Sequence, residues 1–274
     1  MTDFHVPSDL GRLHVHLEGA GPPVVLWHSM FVDSRSWGRL IPLIAAGRTV
    51  AVVDAPSSGL SDPLSSASDI AGCAEAAVAV VDEVRRRAGA DSVDWLGNAW
   101  GGHVGIVLAA DRPDLISSLV AISAPTYPIG PELRRKIRLL LPLYRLIGAR
   151  GPVLSAIEET LLTDAVRARD AGAVALLRDS LASSGKAMIP AIETAILNRT
   201  DLSEAARTIA APVLFVVTDD RGEWTPDEAA AMAVTMPDAR VATVHASRVI
   251  PALEQPAATA AAILAFWSEA GAAS

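Results

Sequence analysis

A strand pattern changes to a helix pattern within the stretch Val93-Asp94-Trp95-Leu96-Gly97-Asn98-Ala99-Trp100-Gly101-Gly102. The apolar run of the strand ends at Gly97, and a helical pattern begins almost at once and continues to Ala110. A chain that turns from strand to helix within four residues needs small residues around the turn, because larger side chains would collide with nearby backbone. The stretch therefore predicts a tight junction between a buried strand and a helix.

Other strand and helix patterns surround this junction. Residues 12–17 alternate polar and apolar side chains, which is typical of a half-buried edge strand. Short strand patterns also occupy residues 24–27, 50–53, 116–123, 213–217 and 240–244. Helical patterns cover residues 70–88, 226–235 and 253–267. Strands alternating with helices at this spacing indicate an α/β protein, with a mostly parallel sheet covered by helices on both faces.

The alternation breaks in the middle of the chain. Residues 128–201 are helical in pattern and contain no convincing strand. We interpret this segment as a helical cap inserted after a strand. The predicted organisation is a core made of residues 1–127 and 202–274, with the cap of residues 128–201 between its two parts.

Composition limits the classes of function. The chain has 274 residues, of which 51% are hydrophobic, so it can bury a sizeable core. Its net charge of -8 argues against general affinity for nucleic acid or an anionic membrane, and we expect neither partner. The single cysteine, Cys73, excludes an internal disulfide framework and fits a reducing cytosol. With no signal-peptide pattern at residues 1–5, we expect a cytoplasmic protein.

Four motifs in order resemble the α/β-hydrolase superfamily. The stretch from Gly97 to Gly101 is similar to its nucleophile elbow, G-x-S-x-G. Residues 26–30, Leu-Trp-His-Ser-Met, resemble the strand that ends in His-Gly before the oxyanion loop. Residues 54–61 resemble the Asp-x-Pro-Gly-x-Gly-x-Ser loop, and residues 253–256, Leu-Glu-Gln-Pro, resemble the tail that follows the catalytic histidine. The resemblance covers nearly the whole chain and implies the α/β-hydrolase fold with an inserted helical cap.

The same resemblance implies where a Ser-His-Asp triad would lie. The nucleophile position is Ala99. The family histidine lies five residues before the Glu of the tail motif, which gives Val249, and the family acid lies four residues before Pro226, which gives Gly222. None of these residues can attack a carbonyl or transfer a proton, so the triad chemistry is absent on this register.

A shifted register leaves an alternative open. Asp219, Asp220 and Glu223 lie near Gly222, so a shifted acid is possible, and His245 is the histidine nearest to Val249. His245 stands four positions too early for the family histidine and would need a remodelled loop. We favour a surface position for His245 and a solvated turn for the three acids.

The resemblance also predicts the groups around the pocket. The backbone N–H groups of Met30 and Trp100 are the expected oxyanion-type donors. The further pocket candidates are His28, Ser29, Asn98, Trp224 and Arg248. For His28 a structural role in the oxyanion loop is favoured, and for His103, one helical turn after Ala99, packing under the elbow is favoured.

Residues 132–141 form a basic amphipathic pattern with two interpretations. In the first, this is a cap helix with apolar side chains over the pocket and cations in water. In the second, the cations dock an acidic partner, such as a carrier protein that holds the substrate.

Three hypotheses on function follow. The favoured one is a hydrolase-like protein that binds a small apolar metabolite under the cap and catalyses a non-hydrolytic step, such as cyclisation, isomerisation or elimination, by positioning and oxyanion-type donors. The second is a non-catalytic ligand-binding protein. The third is a serine ester or amide hydrolase disabled by a Ser-to-Ala change at position 99. Val249 argues against it, because such a mutant needs only one substitution and here the histidine position is substituted as well. We expect no cofactor and no metal site.

Overall fold

A computed structural model describes residues 1–272 of the chain. The strands are β1 Thr2–Ser8, β2 Gly11–Gly19, β3 Pro23–Trp27, β4 Thr49–Val53, β5 Val93–Asn98, β6 Ile116–Ile122, β7 Val213–Thr218 and β8 Ala239–Val244. The first helices are α1 Ile41–Ile44, α2 Ile70–Ala88 and α3 Trp100–Asp111. They are followed by α4 Pro131–Ile147, α5 Pro152–Leu161, α6 Asp164–Arg169, α7 Ala171–Ser184, α8 Met188–Ile192 and α9 Ser203–Thr208. The last helices are α10 Pro226–Ala233, α11 Pro251–Glu254 and α12 Pro256–Ala272.

The strands form one eight-stranded sheet in the order β1-β2-β4-β3-β5-β6-β7-β8. The pairs β1/β2 and β2/β4 are antiparallel, and the pairs from β4 through β8 are parallel. The prediction of an edge strand at residues 12–17 was wrong. β2 lies inside the sheet because β1, which the sequence analysis missed, pairs with its outer side.

Helices cover both faces of the sheet, as predicted. On one face, α2 and α3 bury Val80, Val104 and Ile106 against the β-strands. On the other face, α1 and α12 bury Ile44, Ile263 and Phe266. Side chains alternate between the two faces along a strand, so each parallel strand contributes residues to the hydrophobic cores on both faces. The arrangement is the α/β-hydrolase fold.

The segment between β6 and β7 carries the additional helices α4 to α9, a 3-10 turn at Gly185–Ala187 and a π-helical turn at Glu193–Leu197. Buried hydrogen bonds fix it to the rest of the chain: the Ser180 hydroxyl donates to Asp33, in the loop after β3, at 2.8 Å, and the Thr163 N–H donates to Glu254, in α11, at 2.7 Å. These helices cover the carboxyl end of β5, where the elbow lies. The division into a cap of residues 128–201 and two core parts stays a prediction.

The closing helix differs from the pattern at residues 253–267. α11 and α12 are separate helices, because Gln255, with φ -134° and ψ 59°, interrupts the helical backbone between them. None of the helices within the described residues has both the length and the apolar character needed to cross a bilayer.

Candidate active site

The turn between β5 and α3 has the backbone of a nucleophile elbow. Ala99 has φ 46° and ψ -100°, a conformation that a residue with a Cβ rarely adopts. Its N–H donates to Ile122 O at 2.7 Å, and its carbonyl accepts from the His103 N–H at 2.9 Å. Such a strained residue costs of order 1–3 kcal/mol and persists only where the surroundings fix it. The chain therefore keeps the strain of the elbow without its nucleophile.

Two glycines allow the backbones to approach at this turn. A Cβ on Gly97 would lie 2.1 Å from the carbonyl oxygen of Gly101. A Cβ on Gly101 would lie 2.0 Å from the carbonyl oxygen of Trp27 in β3. Trp95 also fixes the turn, because its indole N–H donates to Gly101 O at 2.9 Å. Close packing of β5, β3 and α3 thus determines the small residues that mark the elbow in the sequence.

A cavity of about 480 Å³ lies above Ala99. Its floor includes Ser29, Met30, Phe31, Ala99 and Trp100. Most of its roof is apolar and comes from α4, α5 and the π-helical turn, with Ile137, Leu140, Leu141, Val153, Ile157 and Ile196 among the lining residues. The volume and the apolar lining are typical of a site for a small molecule.

The predicted donors Met30 and Trp100 both line this cavity. Trp100 is the first residue of α3, so its N–H has no acceptor within the helix. Its indole ring packs edge-on against Trp27, with 6.2 Å between the ring centroids. The helix N-terminus carries partial positive charge, which favours an oxygen placed beside Ala99.

The three predicted triad positions come together at the cavity. Ala99, Gly222 and Val249 all line it, although they follow three different strands. The Thr218 hydroxyl donates to Arg248 O, and the Asn98 side chain donates to Val249 O at 2.9 Å. These bonds hold the loop of Val249 against the elbow. The site thus has the layout of a triad, with apolar or absent side chains at each position.

Two predicted pocket residues lie outside the cavity lining, and this part of the prediction was wrong. Asn98 is buried, and its side-chain amide donates hydrogen bonds to Ile122 O, at 3.3 Å, and to Val249 O. His28 is fully buried, accepts from the Ala55 N–H at 2.9 Å through Nε2, and donates from Nδ1 to Ser29 O at 2.7 Å. Burial lowers the pKa of His28, so the neutral ring links two loops.

Arg248 and Trp224 do line the cavity, and the two terminal nitrogens of the Arg248 guanidinium are already engaged. The Arg248 side chain donates to Glu159 O, to Leu162 O at 2.7 Å and to Asp220 at 2.9 Å. Its charge is therefore balanced by Asp220, and it links the β8–α11 loop to the end of α5. Trp224 packs edge-on against Phe215 at 4.8 Å.

The alternative base and acid form a pair at the protein surface. His245 Nδ1 lies 2.7 Å from Asp219, and 78% of the His245 side chain is exposed. The hydrogen bond from His245 lowers the pKa of Asp219. Neither residue lines the cavity, and Asp220 is engaged by Arg248, so these groups do not replace the triad at Ala99.

Comparisons with known proteins agree with this geometry. A sequence model of the alpha/beta hydrolase family matches residues 24–262. The chain belongs to the alpha/beta hydrolase family. Two solved structures have the same fold: a thermophilic esterase from Thermogutta terrifontis, with TM-score 0.86, and an enol-lactonase from Burkholderia xenovorans, with TM-score 0.85. The esterase is 19% identical and the alignment covers 98% of this chain and 99% of that one. The lactonase is 20% identical, with 97% and 100% covered.

Curated relatives of this alpha/beta hydrolase family member are hydrolases and esterases. A 2-hydroxy-6-oxononadienedioate/2-hydroxy-6-oxononatrienedioate hydrolase of Cupriavidus pinatubonensis is 33% identical over 49% of this chain and 48% of its own. The chain thus spans about half the length of this relative. A pimeloyl-[acyl-carrier protein] methyl ester esterase of Xanthomonas campestris is 24% identical over 74% of this chain and 78% of its own.

Further polar residues line the cavity of this family member, and two of them, Glu223 and His103, had only a solvated turn and a packed helix position as their favoured interpretations from the sequence. His103, Ser123, Arg199 and Glu223 line it. Arg199 is buried and forms a bidentate ion pair with Glu223. The position of His103, one helical turn after Ala99, could have indicated a residue of the site, although this position is equally typical of a residue that packs under the elbow. His103 belongs to α3, its side chain is buried, and it also lines the cavity.

Proposed function

We propose that this alpha/beta hydrolase family member binds a small, largely apolar molecule in the cavity above Ala99 and promotes a non-hydrolytic step. Cyclisation, isomerisation and elimination are the reaction types that this site suits. The observation that carries the proposal is the strained backbone of Ala99 beneath a cavity whose acid and base positions are Gly222 and Val249.

The chemistry left to the site is positioning and electrostatic stabilisation. An apolar wall can hold a flexible substrate in a reactive shape, and well-oriented intramolecular reactions gain about 7–11 kcal/mol over free encounter. Backbone donors at Met30 and Trp100 can stabilise negative charge that develops on a carbonyl oxygen, and one such donor is worth about 3 kcal/mol in other enzymes. Neither effect needs a nucleophile.

Two related proteins suggest the chemical class of the ligand. One relative is named as a methyl ester esterase, and one structural neighbour as an enol-lactonase. Esters and lactones contain a carbonyl oxygen, which is the group that the two backbone donors would bind. We extend this feature to the present chain and propose a ligand with a carbonyl group on an apolar body.

The surface of α4 agrees with both interpretations of its basic pattern. Ile137 and Leu140 line the cavity, whereas Arg135, Arg138 and Leu139 are exposed on the outside. An acidic carrier protein that docks on these cations would deliver its cargo beside the cavity. Docking of such a carrier remains a proposal.

Ligand binding can be tested with Nile red, an uncharged apolar dye, and with candidate compounds that displace it. We expect the protein to bind the dye and Ala99→Trp to bind it at least about tenfold more weakly, because an indole at position 99 fills the cavity. The matched control is Ala258→Trp, on the exposed face of α12. Unchanged binding by a folded Ala99→Trp variant would place the site elsewhere. Chromatography of displacing compounds after incubation then separates catalysis from binding alone.

A covalent probe tests the loss of nucleophilic chemistry. Fluorophosphonates react only with an activated hydroxyl or thiol, and residue 99 offers neither. We expect no labelling between Gly97 and Gly102 when the treated protein is digested and analysed by mass spectrometry. A mass shift in this segment would contradict the proposal.

A further inference from the structure

His103 carries a buried hydrogen-bond acceptor that nothing in the described protein uses. Its Nε2 lies 3.1 Å from the carbonyl oxygen of Pro125. A carbonyl can only accept, so Nε2 carries the hydrogen of this bond. The other ring nitrogen, Nδ1, is buried and has no partner among the described residues. The residue lines the cavity and is 3% exposed.

The charge state of the ring follows from its surroundings. Burial lowers the pKa of His103 well below its ordinary value, and the nearby Arg199 cation lowers it further. The ring is therefore neutral near pH 7. With the hydrogen on Nε2, Nδ1 presents a lone pair and can only accept a hydrogen bond.

Ser123 supplies a second free polar atom at the same cavity. Its hydroxyl oxygen is buried and, within the described residues, has no hydrogen-bond partner. It follows β6 with a φ of 49°, a strained backbone for a residue with a side chain. Serine and His103 do not hydrogen bond to each other, so Ser123 is not activated as a nucleophile. Buried polar atoms are normally paired, so these two atoms of lining residues are available for hydrogen bonds to a molecule in the cavity.

We propose that His103 is a ligand-binding residue whose Nδ1 accepts a hydrogen bond from a hydroxyl group of the bound molecule, with the Ser123 hydroxyl at the same cavity as a second polar contact. The ligand class is then an apolar body that carries an alcohol, phenol or enol. This inference rests on the proposed function, since it requires a ligand in the cavity. The remainder of the molecule packs against apolar residues such as Leu141 and Ile157.

An isosteric ligand pair tests this inference. 1-Naphthol and 1-methylnaphthalene have nearly the same shape, and the methyl compound is the more apolar. We expect the unaltered protein to bind 1-naphthol about tenfold more tightly by calorimetry, and His103→Leu to lose or reverse this preference. His245→Leu, at the exposed histidine, is the matched control and should keep it. Equal affinity of the unaltered protein for both compounds would overturn the role of His103 alone. Binding of neither compound, together with no binding of Nile red, would overturn the proposed function as well.

A second measurement avoids dependence on the folding of a variant. In protein labelled with ¹⁵N-histidine, 1-naphthol should move the Nδ1 resonance of His103 upfield, and 1-methylnaphthalene should leave it nearly unchanged. The resonance is assigned by its loss in His103→Leu or, if that variant does not fold, by its ring coupling to the assigned backbone of α3. Binding of 1-naphthol without a change at Nδ1 would contradict the proposal.

Discussion

Ala99 has the backbone conformation of a hydrolase nucleophile but no side-chain atom that can attack a carbonyl. We expect Ala99→Ser alone to show almost no esterase activity, because a serine hydroxyl needs a base and Val249 holds the base position. In a serine protease, loss of Ser or His alone costs about as much as loss of the whole triad, on the order of 10⁶ in kcat. Hydrolysis of a p-nitrophenyl ester by the variant and the unaltered protein measures this.

The matched variant is Ala99→Ser combined with Val249→His and Gly222→Asp. A Cβ at Gly222 would lie 3.2 Å from the Thr218 hydroxyl oxygen, so the aspartate needs a small local shift. We expect this triple variant to exceed the single variant in rate. Burst-type turnover by Ala99→Ser alone would instead show that a working base is present. His245, paired with Asp219, would then have to move from the surface into the cavity to act as that base.

The backbone strain at Ala99 gives a second prediction at this scale. Glycine adopts the φ of 46° and ψ of -100° at little steric cost. We expect Ala99→Gly to raise the free energy of unfolding by up to about 1 kcal/mol, in contrast to the usual cost of glycine. Urea unfolding measures it. The control Ala109→Gly, in a regular turn of α3, should lose about 1 kcal/mol. A loss at Ala99 as large as that at Ala109 would show that the elbow carries no strain.

At the scale of elements, the fit of β5 and α3 against β3 fixes the elbow. A methyl group at Gly101 would lie 2.0 Å from Trp27 O, and neither backbone can yield without moving a strand. We expect Gly101→Ala to destabilise the protein by about 3 kcal/mol or to prevent folding. Gly130→Ala is the control, because a Cβ there meets nothing within 4 Å and its φ of -59° is ordinary. Urea midpoints of the two variants should differ clearly, and equal midpoints would contradict this packing.

At the scale of the whole molecule, two buried histidines determine how stability depends on pH. Burial lowers the pKa of His28 and of His103, while in the unfolded chain both titrate near pH 6.5. Below that pH the unfolded state binds protons that the native state does not bind. The free energy of unfolding is therefore highest above pH 6.5 and decreases as the pH falls. The slope is about 1.4 kcal/mol per pH unit for each histidine that stays neutral.

Urea unfolding at pH 7.5, 6.5 and 5.5 measures this dependence. We expect the folded His103→Leu variant to have a shallower slope between pH 6.5 and 5.5, since one buried titrating group is gone. His245→Leu should keep the original slope, because this side chain is exposed. A stability that stays constant or rises as the pH falls would show that the two buried rings are not kept neutral.

The sequence by itself determined the local features of the site. The elbow could be predicted from Gly97 and Gly101, because the close approach of backbones leaves room only for small residues. Predicted strands and motifs in family order also indicated that Ala99, Gly222 and Val249 lie together, because the carboxyl ends of parallel strands meet at one edge of a sheet.

Only the tertiary structure decided which side chains reach the cavity. His28 and Asn98 lie in or beside the expected motifs, yet their side chains hydrogen bond to neighbouring loops. His103 instead lines the cavity, and its Nδ1 has no hydrogen-bond partner in the described part of the chain. The edge position of β1 was likewise decided by its pairing with β2. The physical reason is that a strand or a glycine turn depends on neighbours in the chain. The surroundings of a side chain, such as Arg199 beside His103, depend on segments that only folding brings together.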